Sequence, residues 1–221
     1  MKKFFNSVQL LAIMLVAGAS FCFTACSDDD DEIQNPEDVS AEIMFGAYKG
    51  TVSISDVATV EGEDNGQESV PGTDISATIE NNTINLVEFP IRDIVLSIVG
   101  DETLADKIVE AAGDVNYSIS YEPSLTSDGD SILMTLKPEP LKLTLEIPEP
   151  QEDAAPQLQA VEVQIEAGEI AAYDVEAANV KFCITATKVL LGEGDEQQEL
   201  GDFVSKIFRF DMNQYKVAHN F

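Results

Sequence analysis

Apolar and polar residues alternate strictly along much of this chain, and this period of two limits the fold more than any other feature. The clearest stretch is 141–147, Leu-Lys-Leu-Thr-Leu-Glu-Ile, and the same period recurs at 117–121, 132–136 and 161–166. Successive side chains of a strand point to opposite faces, so each stretch has one buried and one wet face. Such strands are typical of antiparallel sheets, in a sandwich or an open barrel.

A tight hairpin is predicted around Asn81-Asn82. Asparagine tolerates a positive φ better than most residues, which a two-residue turn requires at both positions. A turn at this place puts Ile79 opposite Ile84 and Ala77 opposite Leu86, with all four on one face. The register and the apolar pattern therefore agree.

The period changes to that of a helix between the early and middle strands. After Pro90, apolar residues recur at i, i+3, i+4 and i+7, which predicts an amphipathic helix ending at Gly100. Asp101 can cap a second helix that ends at Gly113. The apolar stripes of the two helices are Ile91, Ile94, Val95 and Ile98, then Leu104, Ala105, Ile108, Val109 and Ala112.

These patterns predict one β-rich α+β domain over residues 41–221, with the helical pair inserted between strands. A first strand bent at its glycines is expected at 45–54, and a long strand at 178–191. Residues 148–156 read as a polar link. Residues 200–207 fit a helix while 208–212 fit a strand, and both interpretations stay open.

The N-terminus predicts a cleaved signal peptide at residues 1–25. Lys2 and Lys3 precede an apolar run that ends in small residues before Cys26. Residues 23–26, Phe-Thr-Ala-Cys, resemble a bacterial lipobox, although Phe23 replaces the more usual leucine. The resemblance implies that Cys26 carries the lipid, and two or three acyl chains anchor a protein stably. The alternative is an ordinary signal cut after Ala25.

An acidic run follows the cysteine directly: Ser27, Asp28, Asp29, Asp30 and Asp31. A run of like charge does not pack, so residues 26–40 are expected to form an extended tether. Cysteine and serine followed by acids also resemble the surface-export signal of Bacteroidota lipoproteins. That resemblance implies a protein held in the outer membrane and exposed at the cell surface.

The formal net charge of −29 opposes binding to nucleic acid. Cys22 leaves with the signal and Cys26 takes the lipid, so Cys183 has no disulfide partner and is expected to be a buried, inert thiol. His219 is the only histidine, which disfavours metal sites with paired histidines and a Ser-His-Asp triad. We expect no metal and no cofactor.

Weak signals for chemistry occur at three kinds of position. The acidic loops 61–66 and 127–130 contain calcium-type oxygens, but solvated turns are the better interpretation. Asp130-Ser131-Ile132 resembles a Bacteroidota O-glycosylation acceptor at Ser131, and an unmodified turn serine is equally compatible. A glycan platform could draw only on tyrosines, because tryptophan is absent, and Tyr117 and Tyr121 alternate like core residues. The tyrosines are Tyr48, Tyr117, Tyr121, Tyr173 and Tyr215.

The body also resembles a family of gut Bacteroidota lipoproteins whose domain has no assigned activity. The resemblance spans residues 41–215 and lies in three segments, Met44–Gly50, Phe89–Ile91 and Lys137–Lys142. Related lipoproteins with a Tyr-Lys-Gly-Thr start have calycin-like barrels, which implies that kind of open barrel here, by analogy of fold only.

Three functions remain open from the sequence. We favour a noncatalytic surface module that binds a protein or a glycan as an accessory. The first alternative is a structural or adhesin-like surface component, which predicts a strand edge that accepts a partner strand. The second is a hydrolase that uses paired carboxylates, which we disfavour because no acid stands in an apolar context.

Overall fold

A computed structural model describes residues 40–57, 72–147 and 156–215, which all lie in one compact unit, Gln34–Phe221. The predicted signal peptide, nearly all of the tether, the acidic loop 61–66 and most of the polar link lie outside these ranges. Ten strands, two α-helices and two short 3-10 helices, Ala41–Met44 and Gly194–Glu196, are present within them. The strands and α-helices are β1 (Gly46–Asp56), β2 (Thr73–Glu80), β3 (Thr83–Val87), α1 (Arg92–Val99), α2 (Glu102–Ala112), β4 (Tyr117–Leu125), β5 (Ser131–Pro138), β6 (Leu141–Ile147), β7 (Gln157–Asp174), β8 (Asn179–Leu191), β9 (Gln198–Glu199) and β10 (Lys206–Tyr215).

Eight of the strands close into an antiparallel barrel. Their order is β7-β5-β4-β3-β2-β1-β10-β8, and pairing of β7 with β8 completes the ring. The prediction of a β-rich fold with a barrel as one alternative is confirmed, but the barrel is closed rather than open. Closure comes from the 18-residue strand β7, which bends at two irregularities in its pairing with β8 and so reaches β5 as well.

The hairpin prediction is confirmed in its register. Ile79 pairs with Ile84 and Ala77 pairs with Leu86 across β2 and β3. Asn81 and Asn82 adopt φ values of 48° and 57°, the left-handed conformation that the two-residue turn requires.

The helical pair is also confirmed. Gly100 ends α1 in the left-handed conformation, with φ at 67°. The Asp101 carboxylate caps α2 by accepting a hydrogen bond of 2.8 Å from the Leu104 N–H. Among the described residues, neither helix has the length and apolar character needed to cross a membrane.

The C-terminal ambiguity is resolved in favour of a strand. Residues 200–205 form a turn and irregular backbone, so the helical interpretation of 200–207 is wrong. Strand β10 starts at Lys206 and pairs with β1 on one side and β8 on the other. Because β10 has a neighbour on each side, the backbone N–H and C=O groups around Ile207 can form hydrogen bonds. A single helical turn at this place would leave most of these groups unpaired.

The interior of the barrel is filled by apolar and tyrosine side chains, and Asn179 is the one polar residue among the buried residues described. The 3-10 helix Ala41–Met44 packs against β2 and β4 with Met44 fully buried. Helices α1 and α2 lie where β3 ends and β4 begins, and α2 packs against β6. There Phe89 contacts the rings of Tyr117 and Phe208 at centroid distances of 5.4 and 5.0 Å.

Candidate binding surface

Four of the five tyrosines face the interior of the barrel. Tyr48, Tyr117, Tyr121 and Tyr173 are all buried. The Tyr48 hydroxyl donates to the Met44 carbonyl at 2.6 Å, and the Tyr117 hydroxyl donates to the Glu139 carbonyl at 2.5 Å. These bonds tie the barrel wall to the segments next to it. The use of Tyr48 and Tyr173 as a glycan platform is thus wrong, while the core interpretation of Tyr117 and Tyr121 is confirmed.

Burial also changes the acidity of these hydroxyls. Desolvation raises the pKa of Tyr48, Tyr117, Tyr121 and Tyr173 above the ordinary value of a tyrosine. The Tyr121 hydroxyl has no hydrogen-bond partner among the described residues. An uncharged cluster of this kind stabilises the core and offers no acid or base for chemistry near neutral pH.

One outer groove runs across β1, β2 and β3 and has a volume of about 500 Å³, which is larger than that of a second groove near β6 and β7. Alternation along the strands turns Lys49, Thr51, Asp74 and Ser76 outward, and Val87 adds an exposed apolar side chain. Glu88, which has a backbone φ of 56°, is the last residue that lines the groove. The groove thus combines an ammonium, two carboxylates, two hydroxyls and one apolar contact.

Gly50 lies in the floor of this groove and lets two strands approach closely. A Cβ there would lie 2.0 Å from the Asp211 carbonyl oxygen of β10. Only glycine permits such an approach. The pairing of β1 with β2 and β10 is regular across Gly50, and a bend at the glycines of the first strand stays a prediction.

An aromatic side chain stands beside the groove. The Lys49 ammonium lies 5.1 Å from the ring centroid of Tyr215, within the range of a cation–π contact. Tyr215 is 40% exposed, and it is the only tyrosine in the described residues whose ring is available to a ligand. The alternation of β10 signals its outward direction, but the sequence could not show that it lies near β1.

The second groove, of about 320 Å³, lies between β6, β7 and the turn after β8. Its floor carries the Glu162 carboxylate, which accepts hydrogen bonds from Gln164 at 2.8 Å and from Gln197 at 3.5 Å. The Lys142 ammonium lies 3.8 Å from the same carboxylate. Because three donors already surround Glu162, this groove is held together by its own contacts and offers less to a ligand.

Ser131 lies at the junction predicted from the sequence. It begins β5, is half-buried and faces Asp174 of β7. Its backbone N–H donates to the Thr126 hydroxyl at 3.1 Å, and that hydroxyl donates to the Ser131 carbonyl at 2.9 Å. The turn is therefore pinned through backbone groups, and glycosylation of the Ser131 side chain stays a prediction.

The acidic turn before Ser131 is organised by its own backbone. The Asp128 carboxylate accepts a hydrogen bond from the Asp130 N–H at 3.4 Å. Hydrogen bonds from Thr126 and then from the Asp130 backbone lower the pKa of Asp128. Within the described ranges, histidine, cysteine and acidic side chains form no group of three or more that could hold a metal ion. The other acidic loop, 61–66, lies outside these ranges.

Cys183 is half-buried, not fully buried as predicted. Its side chain points outward from β8 and lies next to Gly168 in the irregular part of β7. A Cβ added to Gly168 would lie 2.0 Å from the sulfur of Cys183. The absence of a side chain at Gly168 makes the space that the thiol occupies. The lipidation residue Cys26 and the export residues 27–31 lie outside the described residues.

The fold is that of a closed eight-stranded antiparallel barrel, joined by a helical pair and with its grooves on the outer face. The chain belongs to the family described as Domain of unknown function (DUF4840), whose profile matches residues 43–191. No curated protein and no solved structure matches the chain. The matched segment includes β1 to β8, and thus the whole lining of the larger groove, while Tyr215 lies outside it.

Proposed function

We propose that this protein is a noncatalytic binding module, lipid-anchored through Cys26 in the outer membrane and displayed at the cell surface. The observation that carries the binding role is the groove on β1, β2 and β3, with Tyr215 beside it. Apolar and tyrosine side chains of the described strands point into the barrel, which supports a binding site on its outer surface. The acidic run after Cys26 supports display at the surface by resemblance alone.

The chemistry of the groove favours a neutral glycan. The carboxylates of Asp74 and Glu88 accept hydrogen bonds from hydroxyl groups, and Lys49 donates them. Val87 and the ring of Tyr215 present apolar surface to the C–H face of a sugar. A net charge of −29 repels anionic polymers, which removes acidic glycans from the expected ligands.

A glycan array followed by titration of the mature protein tests the binding role. We expect binding to at least one neutral glycan, weakened about tenfold or more by Tyr215→Ala and by Asp74→Asn, since each removes a contact of roughly 1–2 kcal/mol. Lys137→Ala on β5 is the matched control, because Lys137 is exposed and outside the groove. Unchanged affinity in both groove variants would refute the site.

Protease treatment of intact host cells tests the location. We expect loss of the protein from intact cells, whereas Cys26→Ser should release the protein from the membrane fraction. Protection until lysis would refute surface display and redirect the search toward periplasmic ligands.

A structural or adhesin-like role is the second candidate, and one observation favours it. Strand β6 pairs with β7 on one side, and no described strand pairs with its other side. An open strand edge is what that role predicts.

A further inference from the structure

Strand β6 extends the sheet beyond the barrel. All seven of its residues pair with β7, from Leu141 opposite Val163 to Ile147 opposite Gln157. Strand β4 accompanies β5 only as far as Pro138, where it pairs with Ile119, and then diverges toward the helices. Among the described residues, the backbone of β6 makes no hydrogen bond to any element other than β7.

This edge lacks most of the features that protect strand edges from pairing. Proline, bulges, several charged residues or a covering helix usually protect an edge strand. The seven residues of β6 contain no proline, pair with β7 in regular register, and carry one positive and one negative side chain. Helix α2 does pack against β6, and it is the one such protection among the described elements. Among the described residues, the backbone groups on the side of β6 away from β7 have no hydrogen-bond partner, so they are candidates for pairing with a second strand.

The sequence of β6 is complementary to itself when a second copy runs antiparallel. If the pair is centred on Thr144, Lys142 lies opposite Glu146 of the second copy, and the reverse pair forms as well. Leucine then faces leucine or isoleucine on the other face. Opposite charges in directly facing positions stabilise an antiparallel pair. Registers centred on the neighbouring positions lose these two ion pairs and leave residues unpaired.

The exposure of the side chains agrees with this register. Lys142 is 76% exposed, and Glu146 and Thr144 are exposed on the same face. On the opposite face Leu141 and Leu145 are buried, while Leu143 and Ile147 are only half-buried. A second copy would cover the two half-buried side chains with its own apolar row, and so removes apolar surface from water.

We propose that β6 is a dimerisation strand, through which two copies of this chain pair edge to edge, antiparallel and centred on Thr144. The pairing is isologous, so it closes as a dimer and does not propagate into a fibre. It joins the sheets of two barrels into one continuous sheet and leaves the groove on β1, β2 and β3 accessible on both copies. It does not depend on the glycan role.

Charge reversal tests the register, with sedimentation velocity of the mature chain at about 0.15 M salt, where the Debye length of about 8 Å limits general repulsion. We expect a dimer for the natural sequence. Lys142→Glu and Glu146→Lys should each weaken it about tenfold, because each creates two like-charge pairs. Mixing the two variants should restore a dimer, since each then faces its complement, and this rescue separates lost pairing from lost folding.

A cysteine cross-link gives the second measurement. In a Cys26→Ser background, Thr144→Cys places two thiols in directly opposite positions, at a Cα separation that a disulfide can span. Thr135→Cys on β5 is the matched control, because Thr135 is exposed but sits inside the closed barrel wall. Rapid oxidation to a dimer at Thr144 alone supports the proposal. A monomer up to about 200 µM, a dimer indifferent to both charge reversals, or equal cross-linking of the two cysteine variants would overturn it.

Discussion

Removal of the hydroxyl oxygen should lower the stability of the protein at one buried tyrosine and raise it at another. Tyr48 and Tyr121 are both buried and adjacent enough for their hydroxyls to influence one another. The Tyr48 hydroxyl donates to the Met44 carbonyl at 2.6 Å, while the Tyr121 hydroxyl has no partner among the described residues. Replacement by phenylalanine deletes one oxygen in each case and leaves the ring in place.

The expected change in the free energy of unfolding depends on whether each hydroxyl forms a hydrogen bond in the folded state. Tyr48→Phe removes a buried hydrogen bond and leaves the Met44 carbonyl without its donor, which costs about 1–2 kcal/mol of the free energy of unfolding. Tyr121→Phe removes a buried polar group that gains nothing in the folded state, and should stabilise by roughly 1 kcal/mol. The two variants should thus differ by about 2–3 kcal/mol, or roughly 4–12 °C in Tm for a domain of this size.

Urea denaturation at pH 7, followed by far-UV circular dichroism, measures both differences. Tyr215→Phe is the control, since the ring of Tyr215 is exposed and its hydroxyl makes no buried bond, and we expect no change in its midpoint. Equal m-values across the set would show that the denatured states are comparable. A loss of more than about 1 kcal/mol in Tyr121→Phe would refute the reasoning, because it would mean that this hydroxyl is satisfied in solution.

Two further predictions concern alkaline pH and backbone crowding. Because burial raises the pKa of the Tyr48, Tyr117, Tyr121 and Tyr173 hydroxyls, their contribution to stability is complete below about pH 10 and is lost as pH rises toward their folded-state values. Above about pH 10, each tyrosine that stays neutral in the folded state lowers the free energy of unfolding by about 1.4 kcal/mol per pH unit. Urea midpoints should therefore fall steeply between about pH 10 and 11, and a flat profile would contradict the burial argument. Gly50→Ala should cost about 3 kcal/mol or more in the same denaturation assay, because its Cβ meets the Asp211 carbonyl, whereas Gly201→Ala has open space and should be neutral or slightly stabilising. Similar midpoints for the two alanine variants would show that β1 and β10 can separate at little cost.

Local patterns in the sequence predict the local elements well. The turn at Asn81-Asn82 and the caps at Asp101 and Gly100 depend on contacts within a few residues, and each was predicted correctly. Closure of the barrel was not predictable, because alternation is the same in a sandwich and in a barrel. It depends on the pairing of β7 with β8, and the central part of β7 around Gly168 has no clear alternation.

The candidate groove was less predictable than the elements that form it. Outward positions such as Thr51, Asp74 and Ser76 follow from alternation, but their gathering into one groove depends on the order of β1, β2 and β3 in the sheet. The proximity of Lys49 and Tyr215 requires pairing between the first and last strands of the barrel. Lys49 and Tyr215 are far apart in the sequence, so no local pattern can indicate that they are in contact.

Strand β1 begins at Gly46, directly after the 3-10 helix through which the chain enters the barrel, and it also supplies one wall of the larger groove. If Cys26 carries a lipid and the groove holds a ligand, as we propose, a mechanical load between the two would pass through a few residues of β1. That strand is hydrogen-bonded to a neighbour on each side. Such tension would act on this short path, and the helical pair and β6 lie outside it.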